Sequence, residues 1–174
     1  MFNSLKEKTA IITGGSRGIG RAIALKFAAL GANVAIVYAG NESAAQSVCE
    51  EATAQGVIAQ AYQCDVSDFQ AVKETVTTIK KAFPSVDILV NCAGITKDGL
   101  VAVMKEAQFD AVMDTNLKGT FNFIRQCTPI FMKNHHGKII NISSVAGIMG
   151  NAGQANYAAS KAGVIGLSKS VARE

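Results

Sequence analysis

Tyr157 and Lys161 frame the segment Tyr157-Ala158-Ala159-Ser160-Lys161, and on a helix that spacing puts a phenol and an ammonium on one face, a turn apart. A phenol with a pKa of about 10 protonates a reacting oxygen near neutral pH only where neighbouring positive charge stabilises the phenolate left behind. Lys161 can supply that charge. The chemistry such a pair suits is proton donation to a carbonyl oxygen as the carbonyl is reduced. Upstream, Ser143 and Ser144 follow the apolar run Lys138-Ile139-Ile140-Asn141-Ile142, where a hydroxyl could hydrogen-bond the same carbonyl. Each piece also has a plain reading, as an exposed helix pair or a turn serine, so the pattern needs a cofactor site beside it.

The segment Thr13-Gly14-Gly15-Ser16-Arg17-Gly18-Ile19-Gly20 offers one. It follows an apolar run and leads into the helical spacing Ile23, Phe27, Leu30. A strand, a glycine turn and a helix start bring exposed backbone N–H groups and the positive end of a helix dipole to one place, which suits a dinucleotide pyrophosphate. Gly14, Ser16, Arg17, Gly18, Ile19 and Gly20 are the candidate contacts, although a tight turn without a ligand would use glycine too. An acid at the end of the second strand would accept from a free ribose hydroxyl and repel a phosphate there. Val37-Tyr38-Ala39-Gly40-Asn41 has no such acid, and Glu42 reads as a first-turn helix residue, which favours NADP(H) over NAD(H).

These groups must be positioned by regular elements. Thr9–Thr13, Asn33–Tyr38, 58–63, Ile88–Asn91 and 138–142 are short apolar runs, nearly continuous as in parallel strands covered on both faces. Longer amphipathic stretches alternate with them, beginning near Gly18, Glu42, Asp68, Lys105 and Ala155, the third with Ser67 as its N-cap. Strand and helix in alternation predict an α/β doubly wound parallel sheet in three layers, α/β/α. With 174 residues, 49% of them hydrophobic, and no linker or repeat, residues 1–174 read as one domain.

The glycine spacing at 14, 18 and 20 after Thr13 resembles the short-chain dehydrogenase/reductase family, whose fold is Rossmann-like. Further motifs carry the same resemblance: Asp65-Val66, Asn91-Cys92-Ala93-Gly94, Asn116, Ser144, and Tyr157 with Lys161, in the family's order along the chain. The resemblance implies adenine contacts from Asp65 and Val66, and cofactor contacts from Ala93, Gly94, Tyr157 and Lys161. Asn91 would brace strands or orient the cofactor. Cys92 departs from the family's more frequent Asn-Asn-Ala-Gly. Arg17 matches a basic residue frequent in NADP-preferring members and would pair with the extra phosphate. The spacing to Tyr157 selects Ser144 over Ser143, and Asn116 matches a helix Asn that anchors a water in the proton relay. The implied catalytic set is Asn116, Ser144, Tyr157 and Lys161.

The segments 91–98 and 147–156 resemble those of bacterial 3-oxoacyl carrier-protein reductases, which implies NADPH-dependent reduction of a 3-oxoacyl thioester in fatty acid biosynthesis. An acetoacetyl-CoA reductase would look similar. Pairing of copies through the helical stretches Lys105–Lys133 and Ala155–Glu174 is also implied, with Phe121 and Phe123 among the apolar residues to be covered. The sequence ends in a helical pattern without a stop signal, before the family's last two strands, so the isolated chain is expected to turn over poorly.

Composition excludes several alternatives. A net charge of +4 with scattered Lys and Arg argues against a nucleic-acid partner. Cys49, Cys64, Cys92 and Cys127 form no C-x-x-C pair and read as small buried hydrophobes. His135 and His136 read as solvated loop residues with no partners for a metal. The charged N-terminal octet and the absence of a long apolar run argue against a signal or a membrane span and leave the reducing cytoplasm as the compartment.

Overall fold

In the computed structural model, residues 5–174 are described, so the first half of the N-terminal octet lies outside the described residues. Ile11, Val37 and Leu89 face one way and Ile12, Ile36 and Val90 the other, and all six are buried. Successive side chains in a strand alternate faces, so apolar residues at every position mean that both faces are covered. These residues belong to β1 (Thr9–Thr13), β2 (Asn33–Tyr38) and β4 (Ile88–Asn91). With β3 (Ala59–Gln63) and β5 (Lys138–Asn141) they form a parallel sheet of order β3-β2-β1-β4-β5.

Helices α1 (Gly18–Ala29) and α2 (Glu42–Thr53) cover one face, packing Ala24, Ala28, Val48 and Ala52 against Ile12 and Ile36. On the other face lie α3 (Phe69–Ala82), α5 (Gly119–Asn134) and α7 (Ala155–Val171). Val72, Ile79, Phe123 and Cys127 meet Ile11 and Leu89 there, with Leu167 and Val171 at the margin. The result is the expected α/β/α layering. β3 and β5, the outer strands, are only partly buried, and Ile58 lies outside β3, half-exposed at the sheet's rim.

Several expectations need correction. The N-cap of α3 is Asp68, whose carboxylate accepts from Gln70 N at 2.8 Å and Ala71 N at 3.0 Å. Ser67 instead donates its N–H and hydroxyl to Asp65 Oδ1. A carboxylate at the positive end of the helix dipole is the stronger cap. The stretch read as one helix from Lys105 is α4 (Glu106–Met113), a π-helical turn at Asp114–Lys118 and then α5. A short helix, α6 (Ala146–Met149), stands between β5 and α7.

His136 is more than a solvated loop residue. Its Nε2 lies 2.7 Å from Oδ1 of the buried Asp87, and Asp87 also accepts from Thr9 N, Ser85 Oγ and Lys8 Nζ. Burial opposes ionisation of Asp87, but Ser85, Thr9, His136 and Lys8 together hold its carboxyl below the usual carboxylate value. This knot joins the amino ends of β1, β4 and β5. The carboxyl ends lie opposite, and there the chain runs from β1 to β2 on one side and returns to β4 on the other, the switch point at which such sheets bind ligands.

Candidate active site

At that switch point the glycine turn leaves β1. Gly14 and Gly18 adopt φ of +65° and +54°, in the left-handed region that glycine enters at little cost. Gly20 has no room for a side chain, because a Cβ there would overlap the carbonyl of Gly14. Thr13 Oγ1 accepts from Cys92 N and Ala93 N, each at 3.1 Å, which ties the turn to the loop after β4. The first turn of α1 holds no acid, so no charged side chain of its own offsets the positive end of the helix dipole.

The turn forms one wall of a cleft of about 850 Å³. Gly14, Ser16, Arg17, Gly18, Ile19, Gly20, Asp65, Val66, Ala93 and Gly94 all line it, as read from the sequence. The ends of β2 and β3 add Val37–Asn41, Ala44 and Cys64, and Thr115 enters from the π turn. Asp65 is the one carboxylate and Arg17 the one cationic side chain among the described lining residues. Asn41 caps α2 by accepting from Ala44 N at 2.9 Å, and Glu42 begins that helix as expected. The cleft fits a dinucleotide in size, in its bare amide wall and in lacking an acid after β2.

Asn91 falls elsewhere. Its amide donates to Asn141 Oδ1 at 2.8 Å, bracing β4 against β5, and it does not line the cleft. Of the two alternatives for Asn91, the bracing one describes what its side chain does here.

The catalytic candidates gather beyond Gly94. A Cβ at Gly94 would sit 3.2 Å from Asn116 Oδ1 and 3.6 Å from Lys161 Nζ, so this glycine is where the cleft meets α7. Lys161 is buried, lies 5.8 Å from the centre of the Tyr157 ring and donates to Ile142 O at 2.8 Å. Burial pushes its ammonium below the usual lysine value, with Cys92 nearby acting weakly in the opposite sense. Cys92, half-buried, is pushed up by its own burial, while Cys49, Cys64 and Cys127 are buried as expected.

The two serines separate by their partners. Ser143 Oγ donates to Lys161 O at 2.8 Å and is committed to α7. Ser144 Oγ accepts from Ala146 N at 3.2 Å, which leaves its own proton to donate. Asn116 is fully buried in the π turn. Its Oδ1 accepts from Ile95 N at 2.8 Å, and its Nδ2 donates to Ile95 O at 3.0 Å and to Ser160 Oγ at 3.1 Å. Ser160 in turn donates to Tyr157 O at 2.8 Å. The amide of Asn116 is thus wholly engaged by the protein, and its backbone carbonyl accepts from Thr120 Oγ1 at 2.8 Å.

Sequence reasoning passed over Thr115, which lines the cleft from the π turn, and Ser160 and Asn156, buried polar neighbours of Tyr157 and Lys161. Their one visible signal was polarity on a helix face otherwise turned inward.

Comparison with known proteins agrees with this geometry. A model of the short chain dehydrogenase family matches residues 8–174. A 3-oxoacyl-acyl-carrier-protein reductase of Staphylococcus epidermidis is 54% identical over 168 residues, 97% of this chain and 69% of that protein. The enzyme of the same name from Escherichia coli K12 is 47% identical over 171 residues, 98% of this chain and 68% of its own length. One from Synechocystis is 46% identical over 99% of this chain. With the glycine turn, the cleft and the Tyr157–Lys161 pair in place, the chain belongs to the short chain dehydrogenase family.

Proposed function

We propose that the protein reduces a 3-oxoacyl thioester, carried on acyl carrier protein, to the 3-hydroxyacyl thioester with NADPH, in fatty acid biosynthesis. The observation that carries this reading is a buried ammonium 5.8 Å from a phenol ring, adjoining a dinucleotide-sized cleft at Gly94. The named activity of relatives at 46–54% identity supports the substrate class.

When bound, the nicotinamide supplies the hydride; the chain supplies placement and charge. The glycine turn, whose Gly15 N–H is taken by Val37 O, and the start of α1 would receive the pyrophosphate, with Asp65 and Val66 on the adenine side. Ser144 donates a hydrogen bond to the substrate carbonyl, and Tyr157 gives its proton to the same oxygen as the alkoxide forms. Lys161, held by Ile142 O, stabilises the phenolate. Asn116 fixes the loop after β4 to α7 through Ile95 and Ser160, and its backbone carbonyl, which accepts from Thr120 Oγ1, would need its second lone pair to anchor a relay water. Arg17, exposed at the cleft rim, pairs with the 2′-phosphate and gives the preference for NADPH.

We place this domain, residues 1–174, in the cytoplasm; no helix among the described residues is long and apolar enough to cross a membrane. Copies pair through the α4–α5 and α7 faces. Phe123 takes no part in that surface, because it is 0% exposed in the core, whereas Phe121 is 45% exposed. Phe121 borders a groove of about 390 Å³ with Met113, Leu117 and Leu167. The test of function is NADPH oxidation with acetoacetyl thioester: turnover that falls at least 100-fold in Tyr157→Phe supports the reading, and an equally active Tyr157→Phe removes its proton donor.

A further inference from the structure

Asn156, next to the phenol, is fully buried and uses its whole carboxamide. Its Nδ2 donates to Lys97 O at 2.9 Å and to Gln108 O at 3.2 Å, and its Oδ1 accepts from Tyr157 N at 2.7 Å. Those partners lie on the loop after β4, on α4, and in the first turn of α7. A helix's first N–H groups have no partner within the helix, and here the N–H of Tyr157 is satisfied by the preceding side chain. Only a carboxamide offers two donors and an acceptor in one small plane. The clasp is reinforced where Gln154 Nε2 donates to Asp98 Oδ2 at 3.0 Å and Gly99 N donates to Gly153 O at 2.8 Å.

The clasped loop exposes the apolar side chains of Leu100, Val101 and Val103, which follow directly on the Gly99 N–H bonded to Gly153 O. None of Asn156, Lys97 and Gln108 lines the dinucleotide cleft. We propose that Asn156 is a positioning residue that fixes the β4–α4 loop to the turn carrying Tyr157, so that the apolar wall for the acyl chain and the proton donor hold one geometry. The proposal rests on the reading of Tyr157 as the proton donor.

Two variants test it. Asn156→Ala removes all three bonds. Asn156→Asp keeps the acceptor for Tyr157 N but sets a carboxylate against the two carbonyls, breaking the loop side alone. Hydrogen exchange read by mass spectrometry should be at least tenfold faster in peptides covering 96–104 in both variants, and in 155–161 mainly in Asn156→Ala. For acetoacetyl thioester, kcat should fall at least tenfold in both, while the Kd for NADPH stays within twofold of wild type. Should Asn156→Ala loosen β1 and β2 as well, Asn156→Asp decides. Wild-type exchange at 96–104 in Asn156→Asp, or kcat within twofold of wild type despite a loosened loop, overturns the proposal. An active Tyr157→Phe would sink the proton-donor reading instead, and the exchange data would still report on the clasp.

Discussion

Replacing Lys161 by Met tests the electrostatic core of the site, because Met keeps most of the side-chain volume and removes only the charge. With the ammonium 5.8 Å from the ring centre, and an effective dielectric of about 20, its attraction for a full negative charge on Tyr157 is about 3 kcal/mol. At about 1.4 kcal/mol per tenfold, this corresponds to roughly a 100-fold loss of kcat. Stability should move the other way or hardly at all. The ammonium is buried with one backbone carbonyl as its hydrogen-bond partner, and replacing a buried charge by an apolar group of similar volume is often neutral or favourable. The assay is the initial rate of NADPH oxidation with saturating acetoacetyl thioester, alongside thermal melting by circular dichroism. A Lys161→Met protein with unchanged Tm and kcat within fivefold of wild type would refute the role of the charge. A large loss of Tm would show that the hydrogen bond to Ile142 outweighs the relief of removing a buried charge.

Arg17→Ala should weaken NADPH by about 10- to 100-fold, as expected for loss of a charge-assisted bond of about 1.5–3 kcal/mol, and leave NADH unchanged; equal losses in a fluorescence titration count against a phosphate contact. Asp87→Asn should destabilise the fold by about 2–3 kcal/mol at pH 7, read by urea denaturation. Because the folded carboxyl lies below its ordinary value of 3.8, the part of this stabilisation that comes from ionisation is complete above that value and is lost as the pH falls through the lower folded one, so the gap between wild type and variant should narrow in acid. Phe121→Glu should shift an oligomer towards monomer in light scattering, whereas an unaltered mass would place the interface elsewhere.

Much of the frame was legible because parallel strands covered on both faces leave long apolar runs, and β1, β2 and β4 have bounds that match those runs. Sheet edges were less legible: Ile58 is apolar but half-exposed, since an outer strand has lost half of what makes burial continuous. The π turn had no local signal. It occurs where Asn116 must reach Ile95 on one side and Ser160 on the other, a demand set by tertiary partners. His136 reads as a solvated loop residue from sequence because its acid, Asp87, is distant along the chain and meets it only once β4 and β5 pair. Phe121 and Phe123 could have been separated beforehand, since residues two apart on a helix do not share a face.

The two halves of the site differ in how they use the chain, and that difference decides what a motif can show. The cofactor side of the proposed site is built of backbone: the glycine turn with its left-handed residues, and the acid-free start of α1. Glycine at fixed intervals is then both necessary and visible, and every turn residue read as a candidate contact lines the cleft. On the catalytic side the groups proposed to react are side chains on an element held by a buried polar layer, Asn116 to Ser160 to Tyr157 O, and Asn156 to Lys97, Gln108 and Tyr157 N. Spacing reveals Tyr157 and Lys161, because helical geometry fixes them relative to each other. It says nothing of the carboxamides that fix α7 relative to the rest of the fold. A buried amide left half-bonded costs about 1–3 kcal/mol, and a misplacement of about 1 Å in a reacting group can cost roughly a hundredfold in rate. Substitutions in this polar layer should therefore lower turnover more than cofactor binding, the reverse of what substitutions in the glycine turn should do.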